Sequence, residues 1–472
     1  MGRDIVLNFL SMEIHFPFYS FTFSLLLAVS FLSAQVGWGP DVRLTYMQGG
    51  GWYPRAACCG DTIHLVWWQA YTGHDEIYYM RSTDAGESWS EPVRLSVEDE
   101  QSGTMPVVAC NGSTIYVFWC EEDFGTLFKK STDGGITWSS IDSTLQGEVY
   151  QDVAMSNDTI FLAGGRDPGD IIFRLGIDSG NIWLPLQIVG YGCYVRHYVS
   201  SPLVNFTYQV TRYCQEIMFK QSSDNGSTWP DSMIVSYFDS VGSQTPRIDG
   251  DDSGGIHIVW YDYKYSPYPW TGDIFYRASR DSGNTWEPID SLTIQHRAVA
   301  SDILAEGSNL HLVWDDERNG NFEIYYRMSS DLGRTWGPEI RLTDAINSSS
   351  NPALACGGGY LHLFWQDARD DSIGARNAIY YKRKDLSGGI SELEGVLSSG
   401  IDFGVYPNPF SKLINISLGK GYSAESREKT VGTMPIPLSL KVFDVSGKEV
   451  IAYEITGKKA RIDTRSLPCG VY

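Results

Sequence analysis

Positive charge is scarce in this chain. Its 472 residues hold 36 Lys and Arg against 57 Asp and Glu, a formal net charge of −21. No basic cluster offsets that balance, so a nucleic-acid partner is excluded, because a phosphate backbone needs a basic face. An anionic ligand would need a local basic pocket, since the global field repels it. Cysteine is sparse as well. Eight in a chain of this length make no dense disulfide framework, and no Cys-x-x-Cys spacing marks a metal site. No metal and no cofactor is expected.

Long apolar runs are missing beyond the N-terminus. The one that exists, Phe21 to Leu32, is followed by the small residues Ser33 and Ala34, and 1–34 reads as an export signal cleaved before Gln35. Arg3 is the only basic residue ahead of the run, which makes Met12 an alternative start. The competing reading is an N-terminal membrane anchor over Phe16 to Ala34, 19 residues long and weakened by Pro17 and its serines. On the signal reading, no membrane insertion follows cleavage.

What the chain does have is repetition. Ser329-Ser330-Asp331-Leu332-Gly333-Arg334-Thr335-Trp336 has the form Ser-x-Asp-x-Gly-x-Ser/Thr-Trp. The same form recurs at Ser82–Trp89, Ser131–Trp138, Ser222–Trp229 and Ser279–Trp286, and Gly176–Trp183 keeps its Asp, Gly and Trp. The aspartates Asp84, Asp133, Asp178, Asp224, Asp281 and Asp331 are 49, 45, 46, 57 and 50 residues apart. A period of that size means a propeller or a solenoid. Each unit holds four strand-like runs, and third runs end near Ser82, Ser131, Leu175, Ser222, Ser279, Ser329 and Arg383, which gives seven units. The seventh has a degraded turn without Trp, at Lys384 to Gly388. The N-terminal Trp38-Gly39-Pro40-Asp41-Val42-Arg43-Leu44-Thr45 matches Trp336-Gly337-Pro338-Glu339-Ile340-Arg341-Leu342-Thr343 but has no turn before it. It is an orphan last strand, and pairing it with the seventh unit closes a ring without an edge. The fold class is therefore all-β: a seven-bladed β-propeller over 36–386, six-bladed if the weak repeats near 151–230 merge. A Gly/Ser-rich linker follows at 387–404, then a small β-sandwich at 405–472.

The repeated turns need no chemistry. Asp accepts from turn N–H groups, Gly supplies positive φ, and Trp packs beneath. His64, His257, His311 and His362 share a slot that Tyr116 and Phe161 fill elsewhere, so the ring packs; the slots are too far apart for one metal ion. Cys58, Cys110 and Cys356 share another and read as buried thiols, whereas Cys193 and Cys214 are candidates for a disulfide. The loops after the second runs surround the axial opening and carry Asp262/Lys264, Asp316/Arg318 and Asp367/Arg369. Each pair either braces its loop or belongs to a polar ring that grips a ligand.

The turn motif resembles the Asp-box (BNR) repeat of sialidase-like β-propellers, over most of the chain. That resemblance implies an exo-acting glycoside hydrolase with three arginines on the substrate carboxylate, a Tyr/Glu nucleophile pair and an Asp acid. Arg is required because its planar fork pairs a carboxylate bidentately, and Tyr avoids setting an anion beside an anionic sugar. Arg55 and Arg247 follow a proline of the repeat, Arg297 opens the sixth unit, and Asp262 or Asp75 would be the acid. Nothing in the spacing singles out the Tyr/Glu pair. Val405-Tyr406-Pro407-Asn408-Pro409-Phe410, the stretch Leu440–Val450 and Gly470-Val471-Tyr472 resemble, in this order, the C-terminal sorting domain of type IX secretion, with its last strand missing. This implies a partner in that machinery and a secreted or cell-surface location in a Gram-negative bacterium. Three functions stay open: a propeller binding glycan or protein through its axial face, a sialidase-type hydrolase, and a structural surface protein without dedicated ligand.

Overall fold

The computed structural model describes residues 37–386, except at short breaks that include 98–100, 211–214 and 371–376, and five strands between 403 and 463. The N-terminal signal or anchor lies outside the described residues. No helix occurs among them.

Trp38–Ser387 forms one unit, built from seven antiparallel sheets, each one blade. Blade one runs outward from the axis as Gly51–Cys59, Thr62–Tyr71, His74–Ser82 and Val93–Arg94. Blades two to six begin at the inner strands Gly103–Asn111, Val149–Ser156, Cys193–Ser200, Ser243–Gly250 and Ala298–Glu306. Blade seven takes Ser349–Gly357, Tyr360–Asp367 and Ala378–Asp385 from one end of the chain and Val42–Arg43 from the other. The second strands are β-branched and aromatic because both faces of each blade are covered by neighbours. Accordingly, the apolar clusters straddle blade pairs: Val259 and Ile274 of blade five pack with Leu312 and Trp314 of blade six.

Ring closure copies the join seen inside blade six. Val42 pairs with Tyr381 and Arg43 with Tyr380, as Ile340 pairs with Tyr326 and Arg341 with Tyr325. Thr45 Oγ1 accepts the Ile379 N–H at 2.9 Å, as Thr343 Oγ1 accepts that of Ile324 at 2.8 Å. Trp38 meets Tyr326 edge-on at 5.3 Å. This supplies the tryptophan that the degraded seventh turn lacks. In every other blade the turn Trp meets an aromatic ring of the preceding third strand: Trp89 on Tyr381, Trp138 on Tyr79, Trp183 on Phe128, Trp229 on Phe173, Trp286 on Phe219 and Trp336 on Tyr276.

The repeated turn is a hydrogen-bond knot. Asp331 Oδ1 accepts Ser329 Oγ at 2.7 Å and Thr335 N at 2.8 Å, and Ser329 Oγ accepts Gly333 N at 2.7 Å. These bonds hold the Asp84 and Asp331 carboxyls down at about 2. The glycine is required twice over. Gly333 has φ +83°, and a Cβ there would lie 2.1 Å from Tyr276 Oη of the blade before. That tyrosine bonds His257 Nδ1 at 2.8 Å. His64, His311 and His362 hold Tyr79, Tyr326 and Tyr381 in the same way. The shared His slot thus sets the ring on which the next turn lands.

One cysteine expectation is corrected. Cys110 is not a free thiol: it bonds Cys59 and joins blades one and two at the ends of their inner strands. Cys58 and Cys356 are free, and burial pushes the Cys58 thiol up to about 12. The Cys193–Cys214 pairing has one end, Cys214, outside the described residues.

The tail strands form a three-stranded sheet (Phe403–Tyr406, Leu413–Leu418, Lys459–Asp463) and a hairpin (Leu438–Phe443, Glu449–Ile455). Their packing as a sandwich lies outside the described residues.

Candidate functional site

Every inner strand pairs with its second strand in one register, so each blade offers one residue to the same level of the axis. Opposite Val66, Phe118, Ala163, Thr207, Val259, Val313 and Phe364 stand Arg55, Val107, Asp152, Arg196, Arg247, Asp302 and Ala353. Three arginines and two aspartates thus share one level. Arg55 comes from blade one, and Arg196 and Arg247 come from the far side of the ring.

The acids are already engaged. Asp152 Oδ2 accepts the His197 N–H at 2.7 Å, and Asp302 Oδ2 accepts that of Leu354 at 2.8 Å, so each ties its blade to the next. The arginines are engaged only in part, Arg247 in an ion pair with Asp302. Each uses Nη1 on a nearby carbonyl: Arg55 on Pro54 at 2.9 Å, Arg196 on Val195 at 2.7 Å and Gln151 at 3.2 Å, Arg247 on Pro246 at 3.2 Å. Arg247 Nε stands 3.7 Å from Asp302 Oδ1, beyond hydrogen-bond length. Among the described residues, no hydrogen bond is made by Nη2 of any of the three. Burial, and then the charge of Arg196, pushes Arg55 down to about 10. Arg247 is held well below its ordinary value by burial, then by Arg196 and Arg55. Three cations are thus gathered deep on the axis against two acids, Asp152 and Asp302, which offset part of the repulsion and leave Nη2 of each guanidinium unfilled.

Above this level the inner strands bulge. The register shifts just before Arg55, Val107, Arg196, Arg247 and Ala353, and Tyr53, Met105, Tyr194, Thr245 and Asn351 take positive φ of 45–53°. Bulges re-aim side chains, and such a backbone costs about 1–3 kcal/mol per residue. The preceding blade caps the bulge N–H: Gln366 Oε1 accepts from Tyr53 at 3.3 Å, and Asp315 Oδ2 from Asn351 at 2.9 Å. Tyr53 and Tyr194 are 44% and 48% exposed. Trp52 and Tyr53 both stack on Trp68, at 5.6 and 6.2 Å. Across the ring, Tyr261 meets Tyr263 edge-on at 5.5 Å and donates to Gln244 Oε1 at 2.6 Å. The result is an aromatic collar over an arginine floor.

Of the arginines chosen from sequence, Arg55 and Arg247 come together. Arg297 does not join them: it pairs with Glu317 at 2.5 Å and covers Tyr268 at 3.6 Å. Arg196 stands with the other two instead. The signal for it was Tyr194-Val195-Arg196, which matches Tyr53-Pro54-Arg55 except at the proline. Asp262 accepts Ser243 Oγ at 2.6 Å, Lys264 N at 2.8 Å and Trp260 Nε1 at 3.2 Å, and burial raises its carboxyl above the ordinary value. Asp75 lies at the start of a third strand, its N–H donating to Ser102 Oγ at 3.2 Å. Asp316 and Asp367 likewise take the indoles of Trp314 and Trp365 at 3.3 and 2.8 Å. Arg318 pairs with Asp316 and Glu339, and Arg369 with Asp367 and Asp41. Lys264 pairs with Asp239. These loops are braced from within. No group of three His, Cys, Asp or Glu side chains among the described residues is placed to hold a metal ion. A cavity of about 640 Å³ opens on the opposite face, between blades one and two, lined by Cys59, His64, Arg81 and turn backbone. It is a gap between neighbouring turns, away from the arginines.

Residues 404–472 match the secretion system C-terminal sorting domain. The chain carries a sorting tail. A type IX tail implies a secreted or cell-surface protein of a Gram-negative bacterium of the Bacteroidetes type, and contact with the secretion machinery. No curated protein matches the sequence. Among solved structures, a Dyadobacter fermentans protein of unknown function is 14% identical, with TM-score 0.50 over 74% of this chain and 99% of its own. A polysaccharide lyase, ulvan lyase bound to -[GlcA(1-4)Rha3S]-, is 10% identical, with TM-score 0.52 over 73% of this chain and 96% of its own. An α-L-arabinanase of Penicillium chrysogenum is 14% identical, with TM-score 0.47 over 74% and 99%. At these identities, the likeness to the first two shows the propeller fold alone.

Proposed function

We propose that this exported propeller binds an acidic glycan at its axial mouth, with a sugar carboxylate seated on Arg55, Arg196 and Arg247. The observation that carries the reading is the single register level at which three guanidiniums with unused Nη2 donors meet. A carboxylate would accept those donors and neutralise the crowded charge, with charge-assisted bonds that are about twice as strong as neutral ones. The tyrosine and tryptophan collar suits sugar rings, which present apolar C–H faces and hydroxyl edges. The propeller's strong acidity then helps to exclude anions that do not fit the pocket. That the polysaccharide lyase of the same fold was solved with a glucuronate-containing ligand is compatible with this reading.

A sialidase-type hydrolase is the second reading, favoured by the same three arginines and by the repeated turns that resemble the Asp-box. It needs a reachable Tyr/Glu pair. Tyr150 does donate to Glu148 Oε2 at 2.5 Å, but Tyr150 is fully buried and a sugar cannot reach it. Binding without turnover is therefore preferred. The test is a glycan array probed with the purified full chain, carrying carboxylated glycans beside their methyl esters, together with a fluorogenic sialoside assay. Retention of acids, loss of their esters and no turnover is the expected result. Equal retention of esters would sink the arginine reading, and turnover would restore the hydrolase.

A further inference from the structure

We propose that the mouth takes an internal stretch of a linear polyuronate, lying across the ring from blade one to blades four and five, with one carboxylate on the arginine floor and neighbouring sugars on the two aromatic platforms. This rests on the acidic-glycan reading above and names its ligand class.

The argument is one of placement. The arginines face each other across the axis, Arg55 on one side and Arg196 and Arg247 on the other. Directly before each side of that floor stands a tyrosine held in left-handed backbone, Tyr53 and Tyr194. Each has its own aromatic extension. Tyr53 continues into the parallel stack with Trp68 and Trp52, and beside Tyr194 the buried Tyr261 holds the half-buried Tyr263 of blade five edge-on. Tyr194 is held above its ordinary value by burial, then by Cys193 and Tyr53, so the two collar tyrosines lie within electrostatic reach of each other. A terminal sugar that filled the arginine floor would use a platform on one side at most. Two platforms on opposite rims match a ligand that extends both ways from the carboxylate.

The test is calorimetric titration of the full chain with three ladders of one to six residues: oligogalacturonate, oligomannuronate and hyaluronan oligosaccharides. In at least one ladder, affinity should rise tenfold or more between the shortest member and the tetramer. Tyr53→Gly and Tyr194→Gly, chosen because they relieve backbone strain and so keep the fold, should each remove most of that gain. Arg196→Met should weaken binding at least tenfold at every length. Binding that does not change with length, or glycine variants that keep the full gain, overturns the spanning inference and leaves acidic-glycan binding standing. Failure of all three ladders overturns the polyuronate inference, while loss of every carboxylated glycan on the array as well overturns the acidic-glycan reading.

Discussion

Ring closure gives the sharpest stability test. Trp38 is 9% exposed and stands edge-on to Tyr326, the place that Trp336 takes against Tyr276 one blade earlier. A tryptophan hides roughly 150–250 Å². At about 25 cal/mol per Å² that is about 4–6 kcal/mol, an upper bound because the unfolded chain already hides some of it. Measured truncations of buried aromatics cost about 3–5 kcal/mol. Trp38→Ala should therefore lower unfolding free energy by about 3–5 kcal/mol, and Trp336→Ala by a similar amount. Trp270→Ala, at a side chain 79% exposed, should stay within about 0.5 kcal/mol of the parent. Urea unfolding of the full chain, followed by near-UV circular dichroism, measures all three. A Trp38→Ala cost below about 1 kcal/mol beside a large Trp336→Ala cost would show that residues 38–45 do not close the ring.

Other outcomes follow from the same structure. Gly135→Ala places a Cβ 2.0 Å from Tyr79 Oη at φ +81° and should cost more than about 2 kcal/mol. Gly112→Ala, at φ +57° with open space around its Cβ, should cost about 1 kcal/mol, the left-handed penalty alone. Cys59→Ser opens a crosslink of sequence separation 51 and should cost about 2–4 kcal/mol, while reductant should leave that variant's stability unchanged. Burial pushes the Asp249 and Asp315 carboxyls up to about 7, above their ordinary value near 3.9. The folded state therefore binds protons more tightly, and the stability these groups lend is full below pH 4 and lost as pH rises through 7. Asp315→Asn should flatten that fall between about pH 4 and 7; an unchanged slope in urea titrations would refute the assignment.

The ring was legible in sequence because one turn recurs with its partners. The Ser, Asp, Gly and Trp of each copy all do local work, and the unmatched Trp38–Thr45 segment had one place left to go. The axial site was less legible, because its members are assembled by register rather than by motif. Arg55 and Arg247 were found through the repeat proline. Arg196 was missed because Val195 stands there instead, and Arg297 was chosen although its blade presents Asp302 at that level. The Cys59–Cys110 bond was hidden for a similar reason. Cys58 aligns with Cys110 in the repeat, yet the residue beside it reaches across the seam between blades. The strained backbone of Tyr53 and Tyr194 left no mark in composition at all.

The most direct test of the account compares two arginines. Affinity for the tightest acidic glycan should fall at least tenfold in Arg196→Met, since a charge-assisted bond is worth about 1.5–3 kcal/mol, and should be unchanged in Arg297→Met. Equal losses in both, or none in Arg196→Met, would contradict an arginine floor on the axis.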